Sequence, residues 1–73
     1  MSEILRLRVT GTPWAGWETA IKRALLDVDG VEGVTASSQA NLVGILFDAV
    51  RITPGQIEEK IAALGYTVAG RVG

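Results

Sequence analysis

The chain has 73 residues, of which 48% are hydrophobic and 21% are charged, and this balance is typical of one small folded domain. Its formal net charge of −1 excludes a strong general field for nucleic acid or an acidic membrane surface. It contains no cysteine and no histidine, which excludes disulfides, thiol chemistry and the thiolate or imidazole ligands of a soft-metal site. No apolar run approaches the roughly 20 residues that span a bilayer. The charged start MSEILRLRV is unlike a signal peptide, so we expect a cytoplasmic protein.

The first half of the chain predicts a strand followed by a helix. Residues 3–10 alternate between apolar and polar side chains, which is typical of a half-buried strand whose inner residues are Leu5, Leu7 and Val9. From about residue 15 to residue 28, apolar side chains recur at helical spacing, and Asp29-Gly30 is a suitable helix end. This apolar stripe consists of Trp17, Ile21, Ala24, Leu25 and Val28.

The second half predicts two strands, a helix and a short final strand. Residues 31–38 and 42–48 form the two strands, with a tight turn at 39–41. Thr53 is a good N-cap residue, Pro54 suits the first helical position, and Gln56 stands where a capping box needs it. The second helix therefore begins there and ends at Gly65, and residues 66–72 form the last strand.

The resulting order, βαββαβ, predicts a ferredoxin-like α+β sandwich that occupies residues 1–73 as a single domain. Two βαβ halves with right-handed crossovers give a four-stranded antiparallel sheet of order 4-1-3-2, with both helices on one face. The predicted core between the helices and the sheet consists of Ile21, Leu25, Val43, Ile45, Phe47, Ile57, Ile61 and Leu64.

The chain resembles the heavy-metal-associated domain family over nearly its whole length, through the segments LRLRVTG, IKRALLDVDGVEGV, ILFD and ITPGQIEEKIAALGY. That family includes copper chaperones and the N-terminal domains of metal-transporting P-type ATPases. Its members carry G-M-x-C-x-x-C at the first strand–helix junction, where the two cysteines bind Cu(I), Hg(II) or a similar ion and pass it to a partner. The positions that match the family's pattern are Gly11, Ile21, Leu25, Gly30, Val31, Val34, Phe47, Asp48, Leu64, Gly65 and Tyr66.

The metal-binding motif itself departs from the family. Gly11 is retained, but the usual Met is Thr12, and the two cysteines are Trp14 and Trp17. An indole N–H is a hydrogen-bond donor without a lone pair for a soft ion. We therefore expect no bound metal ion and no cofactor at the junction. The junction also lacks a base or nucleophile, so no catalytic residue is predicted and the chain is not expected to be an enzyme.

The two tryptophans allow two interpretations. In the first, Trp14, Trp17, Thr12, Pro13 and Tyr66 form an interaction patch for a protein, a peptide or a second copy, with Trp14 exposed and Trp17 partly buried against Tyr66. In the second, both rings only fill the edge of the core, and the chain is an inactivated Cu- or Hg-transfer domain with no new function. The same rare residue at both ligand positions favours an engineered variant over a natural domain that kept an interaction surface.

The strand LVGILF supplies a second candidate surface. If Val43, Ile45 and Phe47 face the helices, then Leu42, Gly44 and Leu46 face outward beside Arg6 and Arg8. Two leucines on an open sheet face are consistent with a sheet-face or edge contact between copies through Leu42 and Leu46. The alternative is that they are scattered surface apolar residues, which are normal on a monomer.

Overall fold

A computed structural model describes residues 2–10 and 16–72. Within these ranges the chain forms six elements: β1 (Ser2–Thr10), α1 (Trp17–Leu26), β2 (Val31–Ser37), β3 (Leu42–Asp48), α2 (Pro54–Ala63) and β4 (Thr67–Arg71). The predicted order is confirmed. Helix α1 ends two residues earlier than predicted, and β4 is shorter than predicted by one residue at each end.

The four strands form one antiparallel sheet of order β2-β3-β1-β4, which confirms the predicted topology. Strands β1 and β3 are central, and their register places Ser2 opposite Asp48 and Arg8 opposite Leu42. At the other end of β1, Thr10 lies opposite Thr67, so β4 begins beside the point where β1 ends. This pairing brings the β1–α1 junction and the start of β4 to the same end of the molecule.

The two helices begin in different ways. The Thr53 hydroxyl accepts a hydrogen bond from the Gln56 backbone N–H at 3.2 Å, and the Gln56 side chain accepts one from the Thr53 N–H at 3.0 Å, so the predicted capping box of α2 is confirmed. Helix α1 begins instead after Gly16, whose φ of 89° is in the left-handed region that favours glycine. Among the described residues, no side chain caps this end of α1.

Gly30 sets the connection between α1 and β2. Its φ is +96°, and a Cβ at this position would lie 3.0 Å from the Arg51 Cβ and from the Ile52 Cγ2. The Gly30 carbonyl also accepts a hydrogen bond of 2.7 Å from the Asp48 backbone N–H. Both the conformation and the close approach therefore require glycine here.

The hydrophobic core lies between the helices and one face of the sheet. Its buried members are Leu5, Leu7, Val9, Trp17, Ile21, Leu25, Val34, Val43, Ile45, Phe47, Ile52, Ile57, Ile61 and Tyr66. The prediction of Leu64 as a core residue is wrong, because its side chain is 45% exposed. Leu64 is the C-cap of α2, and the chain turns there through Gly65, at a φ of 97°, so that Tyr66 is buried instead.

Candidate functional site

The predicted site lies at the junction between β1 and α1. Thr12, Pro13 and Trp14 lie outside the described residues, so the exposure predicted for Trp14 stays a prediction. Trp17 is the first residue of α1 and follows the left-handed Gly16. The left-handed turn at Gly16 therefore sets the position of Trp17, the second of the two residues that replace the motif cysteines.

Trp17 is buried, with 4% of its surface exposed, and it contacts Tyr66, which is 7% exposed. The centroids of the two rings are 6.2 Å apart and the ring planes are tilted by 54°, a favourable arrangement for an aromatic pair. The predicted contact is present, but Trp17 is more deeply buried than the partial burial predicted for it. The pair therefore closes this end of the core and offers little of its own surface to a partner.

Burial also determines the chemistry of this end of the molecule. It raises the pKa of the Tyr66 phenol above its usual value, so the ring stays neutral at physiological pH. Within residues 2–10 and 16–72, no group of three or more Cys, His, Asp or Glu side chains could hold a metal ion. The described part of the junction thus combines this neutral aromatic pair with Glu18, the acidic residue in the first turn of α1.

Asp48, a carboxyl group whose pKa is shifted, lies far from this junction. The pKa of Asp48 is lowered, chiefly because its carboxylate accepts a 3.0 Å hydrogen bond from the Val50 backbone N–H, and Arg51 at 3.8 Å acts in the same direction. Asp48 lies opposite Ser2, at the other end of β1 from Thr10. Eight residues of strand separate the two ends by roughly 26 Å, so Asp48 cannot act at the junction.

The second predicted surface is the outer face of the sheet, and it carries more exposed apolar side chains than the sequence predicted. Leu46 is 38% exposed and Leu42 is partly buried, and they stand on β3 as predicted. Ile4, which lies opposite Leu46 on β1 and is 66% exposed, was not among the residues predicted for this surface. The signal was present, because Ile4 shares the even-numbered, outward parity of Arg6 and Arg8.

Comparison with known protein families shows to which family the chain belongs. A profile of the heavy-metal-associated domain matches residues 6–67. The chain belongs to the heavy-metal-associated domain family. The predicted resemblance is confirmed, and domains of this family are non-catalytic, metal-binding domains of the chaperone type that interact with partner proteins.

Solved structures of several heavy-metal-associated domains are similar to this chain. Oxidized MerP from Ralstonia metallidurans CH34 has 21% identity and a TM-score of 0.85, with 96% of this chain and 100% of that chain covered, and shows the shared fold. The CopZ metallochaperone has 26% identity and a TM-score of 0.81, with coverage of 94% and 100%. The water-soluble region of the P-type ATPase CopA from Bacillus subtilis has 25% identity and a TM-score of 0.85, with coverage of 93% and 45%.

A comparison with curated proteins found no match to this heavy-metal-associated domain. In the part of the chain that the structure describes, neither helix is long and apolar enough to cross a membrane.

Proposed function

We propose that this heavy-metal-associated domain is a non-enzymatic binding module that holds no metal. It contacts a protein, a peptide or a second copy through Thr12, Pro13 and Trp14, which precede the buried Trp17 in sequence, and Trp17 packs against Tyr66. The proposal rests on the replacement of both cysteines of the family's motif by tryptophans, Trp14 and Trp17. Trp17 is part of the buried core, so this position offers no ligand to a metal ion.

The chemistry of the motif supports the loss of metal transfer. CopZ is a metallochaperone, and this chain of 73 residues contains neither the cysteine thiolates nor the histidine imidazoles that bind soft metal ions. Protein contact remains as an activity of the scaffold, and Trp is the residue most enriched at binding hot spots. The substitution of both ligand positions by the same rare residue supports an engineered origin. We also propose a cytoplasmic location, which is supported by the similarity of this small domain to the CopZ metallochaperone.

The proposal is tested with Trp14→Ala. We expect peptides selected from a random display library against the intact chain to bind Trp14→Ala at least 30-fold more weakly, which corresponds to about 2 kcal/mol. The urea midpoint of this variant should stay near that of the parent chain. Val50→Ala is the matched control, because Val50 is 85% exposed and follows β3 at the far end of the molecule.

Two results would contradict the proposal. The selected peptides could bind Trp14→Ala and the parent chain equally well, or the selection could yield no ligand while Trp14→Ala unfolds the domain. In either case the tryptophans would be packing residues, and the chain would be an inactivated metal-transfer domain with no new function.

A further inference from the structure

The outer face of the sheet has a groove at its centre. The groove is lined by Ile4, Arg6, Gly33, Thr35, Gly44 and Leu46. Its two large apolar side chains, Ile4 and Leu46, are cross-strand partners, and both are exposed. They alternate along β1 and β3 with the buried Leu5 and Ile45, which places them on the face opposite to the helices. An exposed apolar pair beside a groove is typical of an interaction surface.

Glycine keeps this groove open. Gly44 lies between Arg6 on β1 and Thr35 on β2. A Cβ at Gly44 would come within 2.9 Å of the Thr35 hydroxyl oxygen, so a larger residue would displace its neighbour and fill the floor. The floor is therefore backbone, and an apolar side chain from another molecule can approach it closely.

Charge is distributed unequally along this face. Arg8 occupies the end nearer Thr10, Arg6 lies beside the groove, and among the described residues the ion pairs involve Arg51 and Arg71 rather than these two arginines. The opposite end carries the Glu32 carboxylate, which accepts a hydrogen bond from the Ser2 hydroxyl. Asp48 lies opposite Ser2 and is already paired with Arg51 at 3.8 Å, so Glu32 is the acidic group that this end presents. Six residues of strand separate Arg8 from Ser2, a distance of roughly 20 Å.

We propose that this face binds a second copy of the chain about a two-fold axis that reverses the strand direction. The axis places Arg8 over the partner's Glu32, and does so twice by symmetry. Because Leu46 and Gly44 lie on either side of this axis, the Leu46 side chain of each copy lies over the Gly44 floor of the other copy, with Ile4 beside it. The arrangement is self-complementary in charge and in shape, and it does not involve the tryptophan junction.

The available surface suits a weak dimer. An interface of standard size takes about 800 Å² from each partner, which is less than a fifth of the 4499 Å² surface of this chain. The apolar centre is small and the ends are charged, so association depends on the ionic strength. A membrane surface fits this face poorly, because its two ends carry opposite charges.

The test is a charge swap followed by sedimentation equilibrium at 50 mM salt. We expect Arg8→Glu and Glu32→Arg each to weaken dimerisation at least tenfold, because each sets like charges opposite one another. The double variant should return to within threefold of the parent chain. Both side chains are exposed, and circular dichroism melts verify that each variant is folded. Leu46→Asp should abolish association.

Two controls separate this face from other causes. Ser2→Ala removes the hydrogen bond to Glu32 without changing the charge, and Lys22→Glu reverses an exposed charge on α1; both should leave the dissociation constant within twofold. A chain that remains monomeric at millimolar concentration overturns the proposal, as does a double variant as weak as the single ones. If Trp14→Ala abolishes association while the charge variants do not affect it, the junction and not the sheet face is the self-association surface.

Discussion

Replacing Trp17 with alanine should remove a large share of the stability of this domain. The ring is 4% exposed and contacts Tyr66, so truncation leaves a cavity at the end of the core. Truncating a buried Trp costs roughly 3–5 kcal/mol, whereas 73 residues correspond to a total stability of about 4–11 kcal/mol at the usual contribution per residue. For a domain of this size the melting temperature should fall by roughly 12–40 °C.

Urea unfolding followed by far-ultraviolet circular dichroism measures this loss without depending on the tryptophan signal. Leu26→Ala is the matched control, because Leu26 is the last residue of the same helix and is 43% exposed. Leu26→Ala should lower the free energy of unfolding by no more than about 1 kcal/mol. A loss below about 1 kcal/mol for Trp17→Ala, with an unchanged denaturant slope, would refute the view that Trp17 closes the core.

Three further predictions concern the core, the metal and the pH dependence. Ile61→Ala should cost roughly 2–5 kcal/mol in urea unfolding because Ile61 is fully buried, whereas the exposed Leu64→Ala should stay within about 1 kcal/mol; equal costs would contradict the assigned face of α2. Native mass spectrometry should show no one-to-one adduct with Cu(I), and Trp14→Cys with Trp17→Cys should restore one by supplying two thiolates. The pKa of Asp48 in the folded chain lies below its usual 3.8. The ionised carboxylate therefore contributes to the free energy of unfolding above pH 3.8, and this contribution is lost as the pH falls through the folded pKa. Asp48→Asn should therefore flatten the acid limb of stability below pH 4, and an unchanged limb would contradict this reasoning.

The fold was predictable because independent local signals agreed along the chain. The alternation in β1, the capping residues Thr53 and Gln56, and the glycine at position 30 each specified an element or its end. Once the order βαββαβ was known, the handedness of the crossovers left one economical topology. The contact between Trp17 and Tyr66 followed from that topology, since β4 begins where β1 ends.

Other features depended on geometry that the sequence pattern does not express. Leu64 fits the apolar spacing of α2, but the helix ends one residue before it and Gly65 redirects the chain. Ile4 lies at the start of a strand, where alternation alone does not show how much neighbouring side chains cover it. The use of the tryptophan junction depends on a binding partner, and the folding pattern of one chain carries no signal for that partner.

The unlike starts of the two helices imply an asymmetry in amide hydrogen exchange. The first amides of α2 are held by the Thr53–Gln56 box, so they exchange only when that end of the helix opens as a unit. The first turn of α1 has no such side-chain acceptor among the described residues, and its Ala20 N–H bonds to the Gly16 carbonyl at 3.2 Å. The amide protons of this turn should therefore exchange through local fraying. The packing of the Trp17 ring is the main interaction that opposes this opening. The first turn of α1 should thus open at a lower free energy than the first turn of α2.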